Sequence, residues 1–262
     1  MKNKNIKNLI LLLTFIFLYL PIIILVVFSF NTSKMNILLE GFTLEWYKTL
    51  FQNTNLLESF FNTMIIAITS TITSTIIGTI SAVGLHKYNF PFKNIINKLI
   101  YIPIVIPEIV LGISLLSIYT LTKLELGMFT LILSHIAFSI PFVIVSVRST
   151  LNYQIDTLEE AAKDLGANDT NIFLKIILPL IKPGVVSGAT LAFTLSLDDV
   201  VISYFTAGPG SNTLPLKIYG MIKTGITPDV NALSSLMLLV TIIILTISAF
   251  NQSKKLGETY EK

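Results

Sequence analysis

Three carboxylates lie within strongly apolar stretches of this sequence, namely Glu108, Asp198 and Asp199. If those stretches lie in lipid, each charge is costly, so such residues usually face a wet cavity or a paired partner. They therefore predict a path for a positively charged ligand. Adjacent helical residues point about 100° apart, so only one of the two aspartates is expected to face that path. Alternatively, the aspartate pair could cap a helix break at the outer interface and bind no ligand.

Aromatic rings near these acids in the sequence could add contacts with a cation, because the face of an aromatic ring attracts positive charge. The candidates are Tyr119, Phe193, Tyr204 and Phe205. No Lys or Arg occurs in the apolar stretches that carry the acids, so their net charge there is negative. The same path is therefore predicted to contain both the acids and the rings.

The sequence contains no cysteine, and its two histidines, His86 and His135, stand in no recognised ligand spacing. These facts exclude thiol chemistry, and we predict no metal site and no catalytic residue. His135 is expected to be a hydrogen-bonded helix-contact residue, and His86 an interfacial one. No G-x-x-x-x-G-K-[ST] phosphate-binding loop occurs, so this chain is not expected to hydrolyse ATP by that route.

The elements that position these residues are long apolar runs. Hydrophobic residues make up 53% of the chain and charged residues 13%, against about 25% charged in soluble domains. A net charge of +3 and scattered lysines give no basis for nucleic-acid binding. Runs of about 20 apolar residues can cross the ~30 Å hydrocarbon core as helices. They predict an all-α membrane protein with about six transmembrane helices, at 9–30, 60–85, 99–121, 129–147, 185–205 and 232–250.

The basic residues predict an orientation for these spans. Thirteen of the 18 Lys and Arg residues fall on the side of the N-terminus, and five fall on the other side. By the positive-inside rule both termini are cytoplasmic, and the loops around Trp46 and Ser211 are external. The first apolar run has about 22 residues, longer than the apolar core of a signal peptide, and is interpreted as a retained span.

The second predicted span carries small residues at every fourth position, at Ser70, Ser74, Gly78 and Ala82. They lie on one helix face, and small residues let two helix backbones approach closely in lipid. We expect this face to contact another helix.

The segment 148–184 is long for a connection between two spans and has a helical pattern of its own. Residues 159–165 favour a short helix that Gly166 ends. The Asn-Asp pair at 168–169 can cap a second helix, which is expected to end near Pro179.

The same segment resembles the EAA motif of ABC importer permeases, in which EAA, G, I and LP stand at fixed spacing. All seven positions are matched, by Glu160, Ala161, Ala162, Gly166, Ile176, Leu178 and Pro179. In that family the segment is a coupling helix that docks against a cytoplasmic ATPase. Ala162 and Gly166 lie one turn apart, and we expect them to form a bare face for this contact.

The resemblance implies the MetI-like permease fold of ABC importers. Its expected parts are a first helix with an external loop at 1–57, a five-helix core at 58–251 that includes the coupling segment 148–184, and a cytoplasmic tail at 252–262. It also implies a multi-pass subunit of the bacterial inner membrane, in contact with membrane lipid. The implied partners are a second homologous permease subunit, a cytoplasmic ABC ATPase dimer and an external substrate-binding protein. ATP and Mg²⁺ would bind to the ATPase, and no cofactor to this chain.

Further stretches resemble the C-type permease subunits of spermidine/putrescine importers, at 107–114, 194–201, 214–219 and 228–233. This resemblance implies a polyamine cargo, whose ammonium groups the acids and rings could receive as water is removed. One alternative is an importer for another organic amine or iron, with an inorganic anion least compatible with the acids. The other is an ion-coupled secondary transporter, which the ATPase-coupling motif disfavours.

Overall fold

A computed structural model shows a protein that is helical over most of residues 2–33, 38–224 and 228–243, the part of the chain that it describes. The helices in chain order are α1 (Lys2–Phe28), α2 (Glu45–Gln52), α3 (Thr54–Lys87), α4 (Lys93–Leu99), α5 (Ile102–Val105), α6 (Glu108–Leu121), α7 (Met128–Arg148), α8 (Tyr153–Asp164), α9 (Asp169–Ile172), α10 (Leu178–Leu197), α11 (Val201–Thr206), α12 (Leu214–Thr224) and α13 (Pro228–Ile243). A π-helical turn, Phe173–Ile177, joins α9 to α10. The chain divides into two compact units, Glu58–Tyr219 and the combination of Met1–Leu57 with Gly220–Lys262.

Within the described residues, four helical stretches are long and apolar enough to cross a membrane, at Ile6–Phe28, Thr54–Lys87, Met128–Arg148 and Asp169–Leu197. The bent pair Lys93–Val105 and Glu108–Leu121 makes a fifth candidate. The shorter apolar helix α13 covers the start of the predicted sixth span. Residues 244–250 of that span and the predicted tail 252–262 lie outside the described residues. The prediction of an all-α, multi-pass membrane protein is confirmed.

The third predicted span is not one helix. Its two parts, Lys93–Val105 and Glu108–Leu121, are bent by 108° relative to each other. Pro107 cannot donate a backbone hydrogen bond, and it holds the preceding Ile106 in extended conformation with ψ of 135°. The continuous helix predicted over 99–121 is therefore wrong, and Glu108 begins a new helix.

The fifth predicted span, 185–205, is also interrupted. The helix α10 ends at Leu197, and a second, short helix starts at Val201. Between them Asp199 accepts backbone hydrogen bonds that would otherwise continue the helix. A carboxylate that competes for backbone N–H groups explains why the predicted continuous helix is wrong here.

The turn inside the segment 148–184 is the one that the sequence predicts. Gly166 has a φ of +82°, a left-handed conformation that favours glycine. Its N–H donates to the carbonyl of Lys163, and the next N–H, that of Ala167, donates to the carbonyl of Ala162, which is the Schellman pattern of a helix end. Asn168 then caps α9 by accepting a hydrogen bond from the N–H of Asn171.

The second helix of this segment was predicted to end near Pro179, and this prediction is wrong. It continues through the π-helical turn Phe173–Ile177 into α10, so that one helical stretch runs from Asp169 to Leu197. A proline inside a helix clashes with the carbonyl four residues earlier, and a wider turn just before it relieves that crowding.

The small-residue face of α3 is a helix contact, as predicted. Ser70, Ser74 and Ala82 are fully buried. A Cβ atom added to Gly78 would lie 2.7 Å from the Val143 side chain of α7. The absence of a side chain at Gly78 therefore lets the Val143 side chain of α7 pack directly against the backbone of α3.

The unit formed by residues 1–57 and 220–262 contains α1, whose apolar side chains are exposed all round, as in a helix that is solvated by lipid. Asn31, just after α1, organises the following loop through its side chain. Its Nδ2 donates to the carbonyl of Leu38 at 2.6 Å, and its Oδ1 accepts from the N–H of Glu40 at 2.9 Å. The indole N–H of Trp46 donates to the Asn31 carbonyl.

Candidate functional site

The two helix breaks of the Glu58–Tyr219 unit lie together, because α6 packs directly against α11. The contact is close: a Cβ atom added to Gly112 of α6 would lie 2.6 Å from the ring of Phe205. Glu108 begins α6, and Asp198 and Asp199 lie just before α11. The structure thus brings the three predicted acids into one region.

Asp199 has a structural task at this site. Its carboxylate accepts hydrogen bonds from the N–H of Ile202 at 3.1 Å and from the N–H and hydroxyl of Ser203, both at 2.7 Å. The residue is only 8% exposed. Asp199 stands one residue before the N-cap position of α11, which is Val200. From there its side chain caps the first turn of α11 and stabilises the break in the fifth span.

His135 of α7 completes the surroundings of this cap. Its Nδ1 lies 2.6 Å from the hydroxyl of Ser196, and its Nε2 lies 3.2 Å from that of Ser203. The Asp199 carboxylate is 3.5 Å from the same Nε2. The prediction that His135 is a hydrogen-bonded helix-contact residue is confirmed. The sequence did not lead us to predict the two serines that bind His135. The available signal was that both are polar residues within an apolar run.

Asp198 differs from its neighbour, because its side chain is exposed at the surface of the unit. Glu108, in the first turn of α6, is exposed as well. The two adjacent aspartates therefore have different surroundings. The Asp199 carboxylate is buried and bound by the N–H groups of α11, whereas the side chains of Asp198 and Glu108 are exposed.

The predicted aromatic residues do not all reach this open region. Tyr119 is 3% exposed, and its hydroxyl lies 2.8 Å from that of Ser134 in α7. The assignment of Tyr119 to the path is wrong in this structure, because the ring is buried between two helices. Tyr204 is 62% exposed and packs edge-on against Phe205. Phe193 is half-buried.

A row of polar side chains extends along α10 from Asp198. Thr194, Thr190 and Ser187 follow at helical spacing, and all three are exposed in this chain. The threonine hydroxyls donate to carbonyls one turn back, so their hydrogen bonds are satisfied within the helix. They are therefore compatible with an apolar environment as well as a wet one. An exposed polar row on a membrane helix is typical of a face that lines a wet path or contacts another subunit.

The segment 148–184 presents a different face from the one that the sequence predicts. Ala162 is buried in a core with the ends of α3 and α7, so it cannot meet a partner, and its predicted role in a bare face is wrong. The exposed side of α8 carries Leu158 and Ala161, and Leu165, the C-cap residue of α8, continues this side at helical spacing. Leu165 is 89% exposed.

The remaining motif residues of this segment have varied surroundings. Glu160, Gly166 and Pro179 are exposed, whereas Ile176 and Leu178 are half-buried and pack against the core. Motif residues on the exposed side can contact a partner directly. Those on the core side hold the segment in place.

Glu159, next to the motif, was missed by the sequence analysis. It lies on the buried side of α8, and the ammonium groups of Lys87 and Lys163 both approach its carboxylate at 2.6 Å. Burial would raise the pKa of Glu159, but the two ammonium groups outweigh it and hold that pKa below its ordinary value. The available signal was an acid at helical spacing between the apolar residues Ile155 and Ala162, because an acid on a core face needs a partner.

Among the residues that the structure describes, no three His, Cys, Asp or Glu side chains are grouped as metal ligands would be.

Comparison with known proteins places residues 74–254 in the family described as "Binding-protein-dependent transport system inner membrane component". The chain is 44% identical to the spermidine/putrescine transport system permease protein PotC of Escherichia coli, over 88% of each chain. It is 40% identical to PotC of Haemophilus influenzae over 95% of this chain and 96% of that protein. The putrescine transport system permease protein PotI of Escherichia coli is 38% identical over 87% and 84% of the two chains.

The fold is similar to that of a chain in a crystal structure of a bacterial ABC transporter involved in the import of the acidic polysaccharide alginate. The TM-score is 0.69 with 18% sequence identity, and the match covers 96% of both chains. At this level of identity the similarity concerns the fold alone.

The different surroundings of the two aspartates predict different effects on stability. Asp199→Ala removes the acceptor of two buried N–H groups and is expected to cost about 1–3 kcal/mol. Asp198→Ala affects an exposed side chain and is expected to stay within about 0.5 kcal/mol of the wild type. Thermal unfolding of the purified protein in detergent measures both. Equal melting temperatures for the two variants would contradict the capping role of Asp199.

Proposed function

We propose that this chain, which belongs to the family of binding-protein-dependent transport system inner membrane components, is one permease half of an ATP-driven polyamine importer. Proteins of this family are transport subunits rather than enzymes. They work with an ATPase and with a substrate-binding protein. The observation that carries the proposal for cargo is the open pair of carboxylates, Glu108 and Asp198, in a chain that is 44% identical to a spermidine/putrescine permease.

The chemistry of a polyamine fits this pair. A polyamine is a flexible apolar chain that carries several ammonium groups, and removing their water requires compensating negative charge. Asp198 and Glu108 supply that charge, and the exposed ring of Tyr204 can add a cation–π contact. The exposed polar row of α10 provides hydroxyl groups along the continuation of the same path.

Because both acids lie on an exposed face, this chain forms only one wall of the path. A second, homologous permease subunit would supply the other wall, and an external binding protein would deliver the polyamine. A pair of cytoplasmic ATPases would bind ATP and Mg²⁺ and supply the energy, so this chain needs no cofactor of its own.

We place the ATPase contact on the exposed side of α8, formed by Leu158, Ala161 and Leu165, with Glu160 beside it. Neighbouring apolar side chains that are exposed outside the membrane spans form a patch of the kind that marks protein–protein contacts. A cytoplasmic ATPase at this surface requires the segment 148–184 and both termini to be in the cytoplasm, which agrees with the distribution of basic residues.

The first test of this function concerns the cargo. Asp198→Asn should lower uptake of radiolabelled spermidine by the complete importer roughly ten-fold, the equivalent of about 1.4 kcal/mol of lost interaction. Glu125→Gln is a matched control, since Glu125 is an exposed acid outside the two helix breaks. Assembly with the partner subunits is measured in parallel. Wild-type uptake in the double variant Asp198→Asn, Asp199→Asn would leave these acids with no role in transport.

The second test concerns the ATPase contact. Leu165→Glu should sharply reduce co-purification of the ATPase, while the fold is kept because Leu165 is 89% exposed. Thr170→Glu introduces the same charge at an exposed position of α9 and should have no effect. This pair is sharper than a substitution of Gly166, whose positive φ makes any side chain a source of strain. Normal assembly of Leu165→Glu would move the contact elsewhere.

The third test concerns orientation. The chain has no cysteine, so single cysteines can be labelled without background. An impermeant thiol reagent applied to intact cells should label Asn212→Cys, which replaces an exposed side chain, but not Thr170→Cys. The neighbouring Ser211 is a poor choice because it is buried. The reverse labelling pattern would overturn the proposed orientation.

A further inference from the structure

Lys87, the last residue of α3, contacts both helices of the proposed coupling segment. Its ammonium lies 2.6 Å from the Glu159 carboxylate of α8 and 3.2 Å from the Asp169 carboxylate of α9. Lys163 approaches the same Glu159 oxygen from within α8, also at 2.6 Å. The Lys87 side chain therefore joins the end of α3 to two helices, α8 and α9, that are distant from it in sequence.

This ion cluster is partly shielded from solvent. The Lys87 side chain is 20% exposed and that of Glu159 10%. Ion pairs at full exposure are weak because water screens them, whereas removal of one partner from a buried pair leaves an uncompensated charge. Without Lys87, Glu159 keeps Lys163 as a partner. Because Lys163 lies in α8 itself, the ion-pair contact between α8 and α3 is then lost.

An apolar core beneath the cluster joins the same elements. It is built from the end of α3, the inner half of α7, the buried sides of α8, α9 and the π-helical turn, and Ile181 and Ala192 of α10. Its members from α3, α8 and α9 are Ala82, Val83, Leu85, Ile155, Ala162 and Ile172. The core positions α8 against α3, and the ion cluster adds a specific contact at its edge.

The helix α3 extends from this cluster to the acidic site. It contains no proline between Thr54 and Lys87, and Ser70 lies about 25 Å from Lys87 along its axis. The Ser70 hydroxyl is 3.2 Å from that of Ser196, which also binds His135 and precedes Asp198 by two residues. The helices α3 and α10 therefore meet beside the break that carries Asp198.

The same coupling segment reaches α10 by a second, covalent route, because α9 continues through the π-helical turn into α10. If α9 moved α10 while α3 stayed behind, the contact between Ser70 and Ser196 would be sheared. A link between the segment and α3 prevents this.

We propose that Lys87 is a positioning residue that makes α3 move together with α8, α9 and α10 when the ATPase displaces the coupling segment. The proposal rests on the proposed function, since it needs an ATPase at α8. In this role Lys87 contacts neither the polyamine nor ATP. It determines how much of the ATPase movement reaches the acidic site.

The test uses the complete importer, reconstituted in proteoliposomes with its binding protein, and measures spermidine transported per ATP hydrolysed. Lys87→Met keeps the apolar stem and removes the charge. It is expected to leave ATP hydrolysis near the wild-type rate and to lower transport per ATP roughly three- to thirty-fold. Lys87→Arg keeps the charge and should retain most of the coupling.

Lys93→Met serves as the matched control, because the Lys93 ammonium donates to Asn89 at 3.1 Å instead, and this variant should behave as wild type. Glu159→Gln is a milder second variant, because it keeps the contact of Lys87 with Asp169. It should also reduce transport per ATP, and it serves as the test if Lys87→Met fails to assemble. Unchanged transport per ATP in an assembled Lys87→Met or Glu159→Gln variant overturns the proposal. The proposal is also overturned if ATP hydrolysis and spermidine transport fall together, so that transport per ATP hydrolysed is unchanged. If the wild-type chain binds no ATPase, the proposed function itself fails, which is a distinct result.

Discussion

A helix that stops within lipid leaves backbone N–H and carbonyl groups with no water to bind, and the architecture of this chain depends on how that problem is solved. The break after α10 can exist because the Asp199 carboxylate accepts two N–H groups in the first turn of α11. His135 and the hydroxyls of Ser196 and Ser203 surround that carboxylate, so the polar groups satisfy one another. The break at Pro107 needs less help, since proline has no N–H to satisfy.

This solution divides the acids of the site into two kinds. Asp199 is surrounded by donors, and its charge is largely used within the protein. Asp198 and Glu108 have no comparable role in the backbone and are exposed at the face of the unit. Two neighbouring residues of the same type thus differ in their surroundings, because the break gives Asp199 backbone partners and leaves Asp198 exposed.

Outside the membrane spans the same division occurs within the family motif. Ala162 packs in the core, Gly166 makes the left-handed turn, and Pro179 lies just after the π-helical turn. These residues determine the structure of the segment and do not form its contact surface. The apolar side chains that remain exposed, above all Leu165, are the ones that can bind a partner. Membership of the family also removes the case for an ion-coupled secondary transporter, which has no need of such a segment.

The sequence by itself determined the class of protein, the place of most apolar spans, and the turn inside the segment 148–184. Hydropathy over about 20 residues reports the energy of transfer into lipid, and the left-handed Gly166 and the Asn168 cap follow from local chemistry. Only the tertiary structure decided that Asp199 is enclosed and Asp198 open, that Tyr119 is buried, and that Ala162 faces inward. Each of these depends on which neighbouring helix covers which side of an element. A hydropathy sum has no information about this, because every side of a membrane helix is apolar whether it meets lipid or protein.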